Sequence, residues 1–201
     1  ERWFNAEGVE APPQGGFFRG ELGVWLSQYN CWKEIANSDY DGVIVFEDDA
    51  VVNVPAFRRH MPSILAELPE DYDVISLAVP HNQTQDYYYN RTFSEDGTSW
   101  TMNSGRRLPK KRSPHYIGSD HVARAYQGYA CVSTMYSPKG ASKLIDLVEE
   151  KGLHSQVDLF IFVEGVLGTL DVYAPMPTVP PFVTFKEQGT IARSTDRFIK
   201  E

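Results

Sequence analysis

The chain has 201 residues and a formal charge of −8 at pH 7, enough for one domain or one domain with an appended lobe; the charge argues weakly against a broad nucleic-acid surface and leaves room for a local basic patch. Hydrophobic residues make up 42%, including eleven Phe, eleven Tyr and four Trp, so a sizeable core can be buried. The two cysteines, Cys31 and Cys131, have no short-range partner and read as buried free thiols, which excludes a disulfide scaffold and a cysteine zinc site.

No apolar run approaches the roughly 18–20 residues of a membrane span, and no signal-like start is present. Residues 1–20, rich in Gly, Pro and aromatics, read as an irregular approach segment. Glu21 to Ala36 then carries Leu22, Trp25, Leu26, Tyr29, Trp32 and Ile35 at helical spacing. Trp25 and Trp32, seven apart on one face, read as core. Asn37-Ser38-Asp39 stops the helix, and the run Gly42–Phe46 predicts a central strand covered on both faces.

Val54 to Leu68 predicts a second helix with Pro55 in its first turn. Asp73–Val79 predicts a second buried strand, and short connections place the two strands parallel, as in α/β proteins. From His81 to His121 no clear apolar period is visible over about forty residues. That length suits an active-site lobe or a flap. It holds Tyr87-Tyr88-Tyr89, a turn at Gly97, the sequons at Asn82 and Asn90, and five cationic residues between Arg106 and Arg112. The basic run reads either as a solvated loop or as a site for an acidic acceptor or phosphate. His81, His115 and His121 match no zinc spacing and read as surface residues.

Regularity resumes with a strand at Tyr129–Tyr136. A helix starts at Ser137-Pro138 and stops near Gly152, since Ser suits an N-cap and Pro the first turn. A shorter helix, about Gln156 to Thr169, and a short strand at Val172–Ala174 follow. Pro175-Met176-Pro177 and Pro180-Pro181 read as extended coil, and the tail from Phe182 as a surface wrap.

The acidic cluster Glu47-Asp48-Asp49 directly closes the first apolar strand. Residues i and i+2 of a strand share a face, so Glu47 and Asp49 point together if the strand persists that far. Like charges packed this closely repel and force protonation. A hard cation, Mn²⁺ or Mg²⁺, completed by phosphate oxygens, relieves that repulsion. Ligands in α/β sheets bind beyond the carboxyl ends of strands, where this cluster falls. Its alternative reading is a helix cap or a solvated face.

These residues resemble glycosyltransferase family 25, which includes bacterial lipooligosaccharide galactosyltransferases and collagen galactosyltransferase domains. The resemblance is carried by Gly20-Glu21-Leu22-Gly23-Val24, Ser27-Gln28, Trp32 and Val45-Phe46-Glu47-Asp48-Asp49-Ala50. Asp73–Leu77, Gly128-Tyr129-Ala130, Ser137–Ala141 and Val157-Asp158 continue it in order along the chain. It departs at Val24, where the family carries Cys, and at Gln28, where it carries His. The 81–121 insert has no aligned counterpart, and the family's first nucleotide-binding strand would precede residue 1. A divergent viral or phage-type member fits the same pattern.

The resemblance implies a single GT-A-like α/β domain over 1–201 with a mixed, mainly parallel central sheet flanked by helices and an insert at about 81–121. It implies a hexosyltransferase moving sugar from a UDP-sugar donor to an acceptor hydroxyl on a glycan or glycoprotein, with inversion. Asp49 is then the metal ligand, with Glu47 and Asp48 beside it on the metal or on the donor ribose and sugar. Asp158 is the candidate base, equally readable as a helix cap, with Glu164 in reserve. Gly20 and Glu21 read as donor-binding amides or as a plain helix start, and Arg193 and Asp196 of the tail as contacts to donor phosphate. The expected location is cytoplasmic, the host cytoplasm for a viral member. Alternative functions are a silent GT-A-like binding domain, a sugar transferase acting on modified DNA bases, and a nucleotidyltransferase.

Overall fold

The computed structural model describes residues 19–78, 91–93, 100–102, 116–125, 131–153, 155–176, 179–180 and 182–185. Outside the described residues lie the approach segment 1–18, Tyr87–Tyr89, Gly97, the run Arg106–Arg112, His81, His115, Gly128–Ala130, Arg193, Asp196 and the two sequon asparagines.

Helix α1, Arg19–Ala36, forms as its apolar spacing predicts. Trp25 and Trp32 are 2% and 0% exposed, core residues as expected. Strand β1, Val43–Phe46, runs into a turn, after which β2, Ala50–Val52, leads to α2, Val54–Glu67. Asn53 caps α2 by accepting the Ala56 N–H at 3.1 Å, with Pro55 in the first turn, where a missing N–H costs nothing. Strand β3, Val74–Ser76, follows.

The insert is not featureless. It holds strands β4, Arg91–Phe93, and β5, Trp100–Met102, paired antiparallel, and β6, Val122–Arg124, follows directly after it. Strand β7, Ser133–Tyr136, helix α3, Pro138–Lys151, helix α4, Val157–Val166, and strands β8, Val172–Pro175, and β9, Val183–Phe185, complete the order. Of the tail expected as a surface wrap, the described residues Val183–Phe185 instead form β9, paired antiparallel with β2.

The central sheet has the order β1-β7-β3-β8-β6. Its β3–β8 pair is parallel, while β1–β7, β3–β7 and β6–β8 are antiparallel. Strands β1, β3 and β8 therefore run the same way, as the α/β reading requires. Strand β7 separates β1 from β3, so the two are not neighbours. Strand β1 ends the strand order among the described residues and is only half-buried, with Phe46 exposed, which corrects its reading as a central, doubly covered strand. Strand β3 is the buried centre.

Helix α1 packs against α3 and α4. Trp32 meets Tyr136 of β7 edge-on at 6.0 Å, and Trp25 meets Phe160 of α4 at 5.3 Å. Gln28, at the position of the family's His, is buried and accepts a 3.0 Å hydrogen bond from the Tyr136 hydroxyl. That side chain is therefore committed to the seam between α1 and β7. Ser137 caps α3, accepting the Gly140 N–H at 2.9 Å while its own hydroxyl donates to the Tyr72 carbonyl at 2.8 Å. Gly140 is required there because a Cβ would overlap the Asp73 backbone. Asp73, fully buried at the start of β3, accepts from Lys143 Nζ at 2.6 Å and from the Asp171 N–H at 2.9 Å. Its other oxygen takes no hydrogen bond but lies 3.2 Å from Lys139 Nζ. This pinning fixes the sheet end that holds Asp73, away from β1's carboxyl terminus.

Candidate active site

At the carboxyl end of β1 the backbone turns sharply. The Glu47 N–H donates to the Val132 carbonyl at 3.0 Å, extending the ladder with β7 by one bond, and the Ala50 N–H donates back to the Glu47 carbonyl at 3.1 Å. Residues 47–49 are thus a turn held between two strand pairs, and the strand parity expected to unite Glu47 and Asp49 does not apply. The turn achieves the same proximity by another route. Asp48 is exposed, whereas Glu47 and Asp49 are half-buried.

The electrostatics bring a fourth acid to this place. Glu47 is pushed up to about 7, first by burial, then by the negative charges of Asp49, Asp158 and Asp48. The negative charge of Asp158, in the first turn of α4, thus reaches Glu47. The Asp158 Oδ1 accepts the Leu159 N–H at 2.7 Å, and its charge suits the positive end of the helix. Base and cap readings both remain consistent with that geometry. Cys131 is buried beside the same acids; burial first, then Asp158 and Glu47, hold its thiol well above the usual range, so it stays protonated.

A carboxyl whose folded pKa is raised above its unfolded value stabilises the fold below the unfolded pKa and loses that contribution as pH rises through the folded one. The ion-free protein should therefore become less stable between about pH 4.5 and 7 on account of Glu47. Glu47→Gln should flatten that part of the pH–stability curve, measured by urea unfolding; an unaltered slope would show that Glu47 is not the group responsible.

Asp49 Oδ1 is buried without a hydrogen-bond partner. Leaving such an oxygen unsatisfied costs about 1–3 kcal/mol or more. Its hard-donor chemistry, beside a Glu47 oxygen of the same kind, fits a divalent cation. Among the described residues, however, no group of three or more His, Cys, Asp or Glu side chains is placed to hold a metal ion. The described residues thus supply a partial ligand set there.

Gly20 and Glu21 lie in the first turn of α1, and the Gln156 side chain donates to Glu21 Oε1 at 2.8 Å. The N-termini of α1 and α4 therefore meet, one carrying Gly20 and Glu21, the other Asp158. Glu164 is placed differently. It is 1% exposed, and Lys151 Nζ donates to both of its oxygens at 2.8 Å, tying α3 to α4. Removing one partner of a buried pair strands the other charge. Lys151 is a third exposed, so Lys151→Met should destabilise by less than the about 3–5 kcal/mol of a fully buried pair, and Lys151→Met combined with Glu164→Leu should recover most of it, read by urea unfolding. An unchanged midpoint in the single variant would mean the pair contributes nothing to the fold.

His121 is half-buried at the surface and held by Glu67. Its Nδ1 lies 2.5 Å from Glu67 Oε1, while the other Glu67 oxygen accepts the Ser119 hydroxyl at 2.5 Å and the backbone N–H groups of Asp120 and His121. These bonds, the Ser119 hydroxyl foremost, hold Glu67 down to about 2. The arrangement fastens the approach to β6 onto the end of α2. Sequence reasoning missed Gln156, bonded to Glu21, and Cys131, near Glu47 and Asp158, as partners of acids, and nothing local marks either.

Residues 16–161 match the model of a family described as Glycosyltransferase family 25 (LPS biosynthesis protein). Procollagen galactosyltransferase 1-A of Xenopus laevis is 40% identical over 62 residues, 29% of this chain and 10% of the relative. Glycosyltransferase 25 family members of Aedes aegypti and Anopheles gambiae are 26% identical over 140 residues and 25% over 128, covering 69% and 63% of this chain. The matched stretch spans 18% and 17% of those two relatives' own lengths.

Proposed function

The chain belongs to glycosyltransferase family 25, and from that membership we propose that it transfers a hexose from a nucleotide-diphosphate sugar to an acceptor hydroxyl, with inversion. The reading is supported by the acidic turn at the carboxyl end of β1, where the buried Asp49 Oδ1 has no hydrogen-bond partner and where burial first, then the charges of Asp49, Asp158 and Asp48, push Glu47 up to about 7. Functional sites are where such perturbation concentrates. Asp49 and Glu47, with Asp48 at the rim, would hold Mn²⁺ or Mg²⁺. Diphosphate oxygens and water would complete the shell, the usual habit of Mg²⁺ where protein ligands are few. When bound, the ion neutralises charge on the leaving diphosphate.

The chain's own residues supply the remainder. Backbone N–H groups at the start of α1, around Gly20 and Glu21, present partial positive charge to the donor phosphates. Asp158 accepts the proton of the acceptor hydroxyl as its oxygen bonds the anomeric carbon and the bond from that carbon to the diphosphate oxygen breaks. The displacement occurs from the opposite face, hence inversion. The names of the relatives make galactose the first sugar to test and a glycan or glycoprotein the acceptor class. Among the described residues no helix is long and apolar enough to cross a membrane.

A screen of UDP-galactose, UDP-glucose and UDP-N-acetylhexosamines, with Mn²⁺ present or absent and UDP release as readout, tests the proposal. Ion-dependent release from one donor is expected. Donor binding without release or transfer to any hydroxyl acceptor would favour a silent binding domain of the same fold, for which the incomplete protein ligand set is the supporting observation.

A further inference from the structure

We infer that Trp25 and the Glu21–Gln156 pair are positioning residues that aim the Asp158 carboxylate, an inference that rests on reading Asp158 as the base. Helix α4 begins at Val157, and Gln156 occupies its N-cap without making a side-chain capping bond. That side chain reaches instead to α1, donating from Nε2 to Glu21 Oε1 at 2.8 Å. One residue earlier, the Ser155 carbonyl accepts the Trp25 Nε1–H at 2.9 Å. One turn of helix on from the cap, the Phe160 ring meets the Trp25 ring edge-on at 5.3 Å and 70°. Asp158 is thus bracketed before and after by contacts to a single turn of α1.

The bracket is itself anchored. Trp25 packs edge-on against Trp32 at 6.0 Å, and Trp32 against Tyr136 of β7 at 6.0 Å. Strand β7 pairs with β1 along its whole length, and the Val132 carbonyl just ahead of it accepts the Glu47 N–H. A continuous chain of buried rings and backbone bonds therefore links the acidic turn to the helix start that carries Asp158. The N–H of Trp25 meets the segment holding the base, and the amide of Gln156 ties that segment to the Glu21 side chain on α1, so their loss shifts Asp158 while leaving the acidic turn at 47–49 in place.

The test uses the full chain, Mn²⁺, and UDP release from UDP-galactose with water as acceptor. Trp25→Phe keeps the aromatic contact and deletes the N–H donor; Gln156→Ala changes an exposed side chain and leaves the core alone. Each should lower kcat about tenfold with the KM for UDP-galactose within about twofold of wild type, since small misplacement of a reacting group costs that much or more. In an Asp158→Asn background neither should lower kcat further. Gln156→Glu should impair turnover by opposing Glu21, and the exchange Gln156→Glu with Glu21→Gln should restore it. Normal kcat in both clamp variants, an effect confined to KM, no rescue by the exchange, or losses that multiply with Asp158→Asn would overturn the inference. Unimpaired turnover by Asp158→Asn alone would instead remove the base reading on which it rests, and absence of UDP release by the wild type would remove the transferase reading as well.

Discussion

Asp158→Asn should retain donor affinity and lose about 10²–10⁴-fold in kcat, the usual contribution of a positioned general base. The amide is isosteric and can still accept the Leu159 N–H through its carbonyl oxygen, so the start of α4 is preserved. What it lacks is basicity towards an acceptor hydroxyl. A helix cap behaves oppositely. Were capping the whole role of Asp158, the variant would shift stability by about 1 kcal/mol or less and turn over normally. Steady-state kinetics paired with a thermal melt separates the two. Asp158→Asn should also lower the Glu47 pKa, because one of the charges that raises it is gone.

Asp49→Ala should abolish divalent-ion-dependent donor binding and leave the unfolding midpoint nearly unchanged. The Asp49 Oδ1 atom is buried without a partner, so its removal forfeits no hydrogen bond of that oxygen and relieves both its desolvation and its repulsion on Glu47. An acid that holds the fold together would give the reverse pattern. Calorimetric titration of UDP with and without Mn²⁺ reads the binding, and a melt reads the stability. A large loss of stability with donor binding intact would make Asp49 a structural acid and leave the ion without its principal ligand.

Helices and the buried strand β3 were legible in the sequence because local signals set them. Asn53 and Ser137 cap their helices through their own side chains, each preceding a proline in the first turn. Strand β1 was legible as a strand but not as an edge. The run Val43–Phe46 has the same apolarity whether one neighbour or two flank it, and the insertion of β7 between β1 and β3 is set by pairing far along the chain. Strands β2, β4, β5, β6 and β9 have three residues each, too few to display a period of two.

The acids at 47–49 announced themselves by closing an apolar run, although the parity invoked for them was replaced by a turn. The partnership of Asp158 with Glu47 could not be read from spacing, only from family resemblance, since it depends on where α4 docks. The docking is the work of Trp25 and Gln156, whose polar atoms reach residues distant in sequence. Glu164 shows the converse. Chosen as the reserve base for its place further along the helix from Asp158, it is paired with a lysine at the end of α3 that its own local sequence does not announce.

The most direct measurement is the carboxyl titration of Glu47 by ¹³C NMR, in the free protein and with saturating Mg²⁺ and UDP. A cation seated among these acids predicts a midpoint that starts near 7 and falls below the ordinary glutamate value once ion and diphosphate are present. A midpoint that stays put would mean that no cation shares the turn with Glu47, and the proposed donor site would have to lie elsewhere.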